Sequence, residues 1–197
     1  MTDSPDTTAV RTAQRQTGAV TVFEVDAPET QAWKRGRLPE LGPTFGSSPV
    51  LVPVDFEAGE SWLDATVAAG LDPSAPTAIS LLGVTMYLTR AAITDTPRAA
   101  ASLAPGSSIV FSFSRPIEMA PPEIQPILRG AAESAKASGH PWLSLLAPDD
   151  AVGLARDAGF ADVRGMTLTD LHAKYFADRD DGLSPIGGED LVIATVG

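Results

Sequence analysis

Twenty-five acidic residues against 14 lysines and arginines give this 197-residue chain a formal charge of −11, which argues against a phosphate-tracking partner and disfavours anionic membrane surfaces. Hydrophobic residues make up 44% of it, enough for a core, and the absence of cysteine removes disulfides, thiolate nucleophiles and thiolate metal sites together. The acidic start, Met1-Thr-Asp-Ser-Pro-Asp, is not a signal peptide, and no apolar run approaches the roughly 20 residues of a membrane span. The expectation is a cytoplasmic protein acting on a small molecule, not on nucleic acid or membrane.

In chain order, residues 1–19 read as a short polar arm in which only Thr8 to Arg15 (TAVRTAQR) has helical character. Residues 20–197 read as one α/β domain. Val20 to Asp26 (VTVFEVD) is a strand, rich in β-branched and aromatic residues and closed by Pro28. Glu29 to Leu38 is a helix, acidic in its first turn and basic later, as the helix dipole prefers. After a Gly-, Pro- and Ser-rich loop, Val50 to Phe56 (VLVPVDF) is a second strand, with Pro53 suggesting an edge or a bulge. Glu60 to Ala69 is helical, with Gly70 as its cap.

The nearly continuous apolar run Thr77 to Leu82 (TAISLL) reads as a buried parallel strand. A helix from about Thr89 to Leu103 follows, bent or restarted at Pro97. Ser107 to Phe113 is a strand, and Glu123 to Ser138 and Pro148 to Gly159 are helices. Ala161 to Thr167 and Leu191 to Val196 are final strands around a helix near Asp170 to Ala177. The alternation of strand and helix supplies the crossovers that parallel strands need. An open α/β sheet binds its ligands outside the carboxyl ends of its strands, so the residues ending each strand become the candidates for chemistry.

Side chains two apart share a strand face, so Glu24 and Asp26 project together from the first strand. An acid there either accepts the hydroxyls of a ribose or is a solvated carboxylate that caps the next helix. Asp55, ending the second strand, has the same two readings, with Phe56 beside it to pack on a base.

The runs Val22 to Trp33 (VFEVDAPETQAW) with Lys34, Val52 to Trp62 (VPVDFEAGESW), Gly83 to Thr89 (GVTMYLT) and Ala104 to Ser107 (APGS) resemble the bacterial branch of the leucine carboxyl methyltransferase family. Ala155 to Val163, Lys174-Tyr175-Phe176 and Asp181-Gly182-Leu183 extend the resemblance toward the C-terminus. It implies a Rossmann-like class I methyltransferase sheet of seven strands with an antiparallel C-terminal hairpin. The implied activity is methyl transfer from S-adenosyl-L-methionine to a carboxylate or hydroxyl of a small metabolite; some members act on aromatic polyketide acids. Carried over by position, Asp26 is the implied ribose acid with Glu24 beside it, and Asp55 and Phe56 are the implied adenine contacts. Thr85 and Tyr87 are candidates for orienting a substrate, Tyr87 being equally readable as a half-buried aromatic at a helix start. Leu82 stands where many members carry a glutamate. Arg11, in Thr7 to Ala13, resembles a family arginine that can bind a carboxylate.

Members also place a strand and a Gly-x-Gly-like loop before the acidic strand, because only glycine lets backbone amides approach the donor closely. These 197 residues contain no Gly-x-Gly, and Gly18 is the only glycine before Asp26. The arm is too short for a strand, a crossover helix and a return. The sheet is therefore expected without its first, central strand, closed by direct pairing of the flanking strands or completed by a second subunit in a homodimer. Two readings follow: a working methyltransferase, or a degenerate relative that serves as a binding partner or in a donor-independent step. A nicotinamide dehydrogenase lacks its Gly-x-Gly-x-x-Gly loop, and the only two histidines, His140 and His172, lie in different elements.

Overall fold

The computed structural model describes residues 20–41, 49–185 and 188–197. Arg11 and the Thr8 to Arg15 helix lie outside the described residues. The chain divides into two compact units, Met1–Asp72 and Pro73–Gly197.

In the first unit, β1 (Phe23–Asp26) pairs in parallel with β2 (Val50–Pro53), Phe23 opposite Val50 and Asp26 opposite Pro53. The crossover includes α1 (Pro28–Arg37), with Pro28 in its first turn, where the missing N–H costs nothing. Its buried residues are Gln31 and Lys34, while Trp33 is exposed. This helix therefore buries a polar face, because Lys34 meets an acid on β1. α2 (Trp62–Ala68) is capped by Ser61, whose hydroxyl accepts from Asp64 N at 3.1 Å. Val52, Val54 and Trp62 are buried here.

In the second unit, four strands lie in the order β3 (Ala78–Leu81), β4 (Ser108–Ser114), β6 (Glu189–Thr195), β5 (Asp162–Met166). β3 and β4 are parallel, and β6 runs antiparallel to both β4 and β5, giving the expected C-terminal hairpin. Between them come α3 (Arg90–Ala101), α4 (Gln125–Ala137), α5 (Pro148–Asp157) and α6 (Leu168–Tyr175). Pro97 sits inside α3 without ending it. Ile109, Phe111, Phe113, Val192 and Ala194 form one buried sheet face. α3 and α5 pack on that sheet and on each other, burying Ile93, Ala100, Ala151 and Ala155.

The opposite face is half bare. Val110, Leu191 and Ile193 are only partly covered, and Ala78 and Ser80 are exposed, around a depression of about 400 Å³ bordered by Leu171 and Tyr175 of α6. The apolar run at β3 is thus not the fully buried strand its composition suggests, since a parallel strand reads as continuously apolar only where both faces are covered. Among the described residues β1 pairs with β2 alone and β3 with β4 alone. Each keeps an edge without a strand among the described residues, and the expected central strand is not among the described ones.

Candidate functional site

At the carboxyl end of β1, the two acids have different surroundings. Glu24 Oε1 accepts from Lys34 Nζ at 2.6 Å, and Gln31 Nε2 donates to the Glu24 carbonyl at 2.8 Å. Gln31 and Lys34 are 1% and 5% exposed. Glu24 Oε2 and Gln31 Oε1 are both buried without a hydrogen-bond partner. Glu24 thus fastens α1 to β1 through one oxygen. Asp26 Oδ1 accepts from Ala27 N at 2.7 Å, where the chain turns into α1.

Asp55, just past β2, is exposed, and its Oδ1 accepts from Glu57 N at 3.0 Å and Ala58 N at 3.1 Å. Asp55 N donates to Glu60 Oε2 at 2.8 Å, and Glu60 N returns a bond to the Asp55 carbonyl at 3.2 Å. The carboxylate therefore organises its own turn, with half-buried Phe56 inside it.

At the end of β3, Leu82 is 53% exposed and opens a turn in which Gly83, at φ 71°, donates its N–H to Ser112 Oγ at 2.7 Å. Thr85 is 2% exposed and donates its hydroxyl to the Ser112 carbonyl at 2.7 Å, so it holds the turn to β4. Tyr87, 41% exposed, ends the 3₁₀ turn Thr85–Tyr87 and presents its ring to the surface.

Sequence reasoning passed over a strap that crosses the carboxyl ends of β3 and β4. Leu143 N and Ser144 N donate to the Met86 carbonyl at 2.7 and 3.2 Å, and Leu146 N donates to the Ser114 carbonyl at 2.9 Å. Ser144 Oγ donates to the Leu88 carbonyl at 2.8 Å. Beside the strap lies an open depression of about 270 Å³ lined by Met86, Ser114, Leu128, Ala131, Trp142, Gly188 and Glu189. Trp142 Nε1 is buried without a partner. Nothing in the local sequence marks this place, because the strap pairs with residues some thirty to sixty positions away.

The leucine carboxyl methyltransferase family model matches residues 5–101, which hold both acidic strand ends and the Gly83–Thr89 turn. Over those residues, just under half of the chain, it is similar to the leucine carboxyl methyltransferase family. The chain is 29% identical over 164 residues to the "Putative S-adenosyl-L-methionine-dependent methyltransferase YktD" of Bacillus subtilis, a match covering 83% of this chain and 53% of that protein. It is 36% identical over 95 residues to a Mycobacterium tuberculosis protein of the same description, Rv0830, covering 47% of this chain and 30% of the other. The chain thus spans about half the length of the Bacillus relative. Among solved structures, it resembles the S-adenosylmethionine-dependent methyltransferase SibL in its apo form, with TM-score 0.55 and 15% identity, over 95% of this chain and 46% of SibL. A duf574 family protein from Streptomyces avermitilis gives TM-score 0.57 and 19% identity, over 90% of this chain and 65% of its own. The fold is that of the class I methyltransferases.

Proposed function

We propose that this chain belongs to the leucine carboxyl methyltransferase family and takes part in methyl transfer from S-adenosyl-L-methionine to a carboxylate or hydroxyl oxygen of a small metabolite. The observation that carries the reading is Asp26, an acid at the carboxyl end of a parallel strand inside the matched FEVD run, before a helix that Pro28 starts. Asp26 commits Oδ1 to the neighbouring Ala27 N–H, and its carboxylate has acceptor capacity beyond that bond for a ribose hydroxyl. Phe56, half-buried after β2, supplies an aromatic face for the adenine, within a turn that Asp55 and Glu60 fix. Leu82 departs from the family glutamate, which weakens the case for a contact to the amino-acid end of the donor.

The donor's nucleoside half thus fits residues that are present. The backbone cradle for its methionine half does not, because no Gly-x-Gly occurs in these 197 residues. The donor supplies an electrophilic methyl group. The protein's part is to bind it and to align the acceptor oxygen, work that is mostly positioning. The second reading is a relative that keeps the fold and a ligand surface without transfer. Calorimetric titration with S-adenosyl-L-methionine separates them. Saturable binding supports the first reading, and no heat at millimolar donor favours the second.

A further inference from the structure

We propose that Gln31 and Lys34 are positioning residues for the ribose of the donor. From the buried face of α1 they hold the strand end that carries Asp26, and the preference of the chain for a ligand with a free 2′,3′-diol depends on them. The proposal rests on the methyl-transfer reading above, in which Asp26 receives the ribose, and adds the two side chains that act through it.

Glu24 and Asp26 project from the same face of β1. Gln31 and Lys34, one turn apart on α1, both reach Glu24. The Lys34 ammonium donates to Glu24 Oε1 at 2.6 Å, and Gln31 Nε2 donates to the Glu24 carbonyl at 2.8 Å. Side chain and main chain are thus both held two positions before Asp26. Beyond that point, Val54 N donates to the Asp26 carbonyl at 2.9 Å, and Gln31 N to the Ala27 carbonyl at 3.0 Å. The backbone on either side of Asp26 is therefore fixed by α1 and by the residue after β2. The carboxylate itself spends one acceptor bond locally, on Ala27 N at 2.7 Å.

Stability alone does not call for this arrangement. Gln31 and Lys34 are 1% and 5% exposed, and Glu24 Oε2 and Gln31 Oε1 are buried with no hydrogen-bond partner among the described residues. Buried acceptors without donors are costly. Apolar residues of similar volume in place of a buried ion pair are often neutral or stabilising. Both orphaned oxygens are enclosed, so they do not hold the ligand themselves. What the polar contacts add is direction. An ion pair and an amide bond set one register of α1 on β1, where apolar packing alone tolerates several. Groups that bind a ligand are held to about 0.5 Å by the partners behind them, and these contacts lie directly behind the strand-end acid.

Equilibrium binding of adenosine and 2′,3′-dideoxyadenosine to the full chain tests this, because the two probes differ only in the ribose hydroxyls. The parent should bind adenosine at least about tenfold tighter, as hydrogen bonds to a charged group require. Two variants release the strand end from different sides. Gln31→Met removes the donor to the Glu24 carbonyl, and joint replacement by Glu24→Leu and Lys34→Met removes both charges without leaving either buried alone. Each should lower the preference to about threefold or less, by weakening adenosine while dideoxyadenosine binding holds. A purely structural role would weaken both probes alike. An unchanged preference in either folded variant, an equal loss for both probes, or unfolding of both variants in urea titration would overturn the proposal and leave Asp26 as the ribose acid. A parent that does not bind adenosine, or does not distinguish the probes, would overturn it together with the donor reading.

Discussion

The Lys34 ammonium meets Glu24 Oε1 at 2.6 Å, with the two side chains only 6% and 13% exposed. This pair, ten residues apart, joins α1 to β1 and so sets the backbone from which Asp26 emerges. A buried pair is costly to break because the surviving charge has no partner. Glu24→Ala should cost about 3–5 kcal/mol, whereas joint replacement by Glu24→Leu and Lys34→Met should cost far less. Urea unfolding followed by Trp fluorescence checks both. A loss under about 0.5 kcal/mol for Glu24→Ala, the level of ordinary surface changes, would contradict this role.

The Asp55 turn should respond differently to its two acids. Asp55→Ala removes the acceptor for two backbone N–H groups and should cost about 0.5–2 kcal/mol, as loss of a cap does. Glu60→Gln keeps an oxygen for Asp55 N and should change stability by less than about 0.5 kcal/mol. Denaturation midpoints of the two variants check the contrast.

Acid should loosen the start of α6. Thr167 and Asp170 form a capping box there, and hydrogen bonds from the Thr167 hydroxyl and backbone N–H lower the Asp170 pKa from its ordinary 3.8. A depressed carboxylate stabilises the folded state above its unfolded pKa and loses that contribution as pH falls through the lower folded value. The backbone amides of residues 167–171 should therefore shift together below about pH 3.8, a change read by NMR titration. Asp170→Asn should remove the transition.

The hairpin that closes the second sheet depends on a second buried acid. Asp190, 3% exposed, accepts from Arg115 Nε at 2.6 Å and, through its other oxygen, from Leu168 N at 3.2 Å. It thereby ties the end of β4, the start of β6 and the first turn of α6 together. Asp190→Ala should cost about 1.5–3 kcal/mol in urea unfolding, the loss of hydrogen bonds to a charged group. Arg115→Lys should also destabilise, since an ammonium cannot reproduce the guanidinium fork. Full stability of Asp190→Ala would show that the hairpin holds by apolar packing alone.

Much of the element order was legible because its signals are local. Pro28 starts α1, Gly70 and Gly159 follow α2 and α5 at positive φ, and β-branched runs mark β1 and β4. The acid positions at strand ends were legible for the same reason. The partnerships were not. That Glu24 is held by Lys34, that Thr85 is held by the Ser112 carbonyl, and that the segment carrying Leu143 and Leu146 bonds to Met86 and Ser114 depend on contacts between distant residues. Ala78 and Ser80 in the apolar run of β3 are exposed because no element covers that face within the unit, a property of packing and not of composition.

The most direct measurement is calorimetric titration of the parent chain and Asp26→Asn with S-adenosyl-L-methionine. Saturable binding by the parent is expected, weakened roughly ten- to a hundredfold in Asp26→Asn, since a hydrogen bond to a charged group contributes about 1.5–3 kcal/mol. Equal affinity in the two chains would place the ligand elsewhere, and no binding by the parent at millimolar donor would contradict the methyl-transfer reading itself.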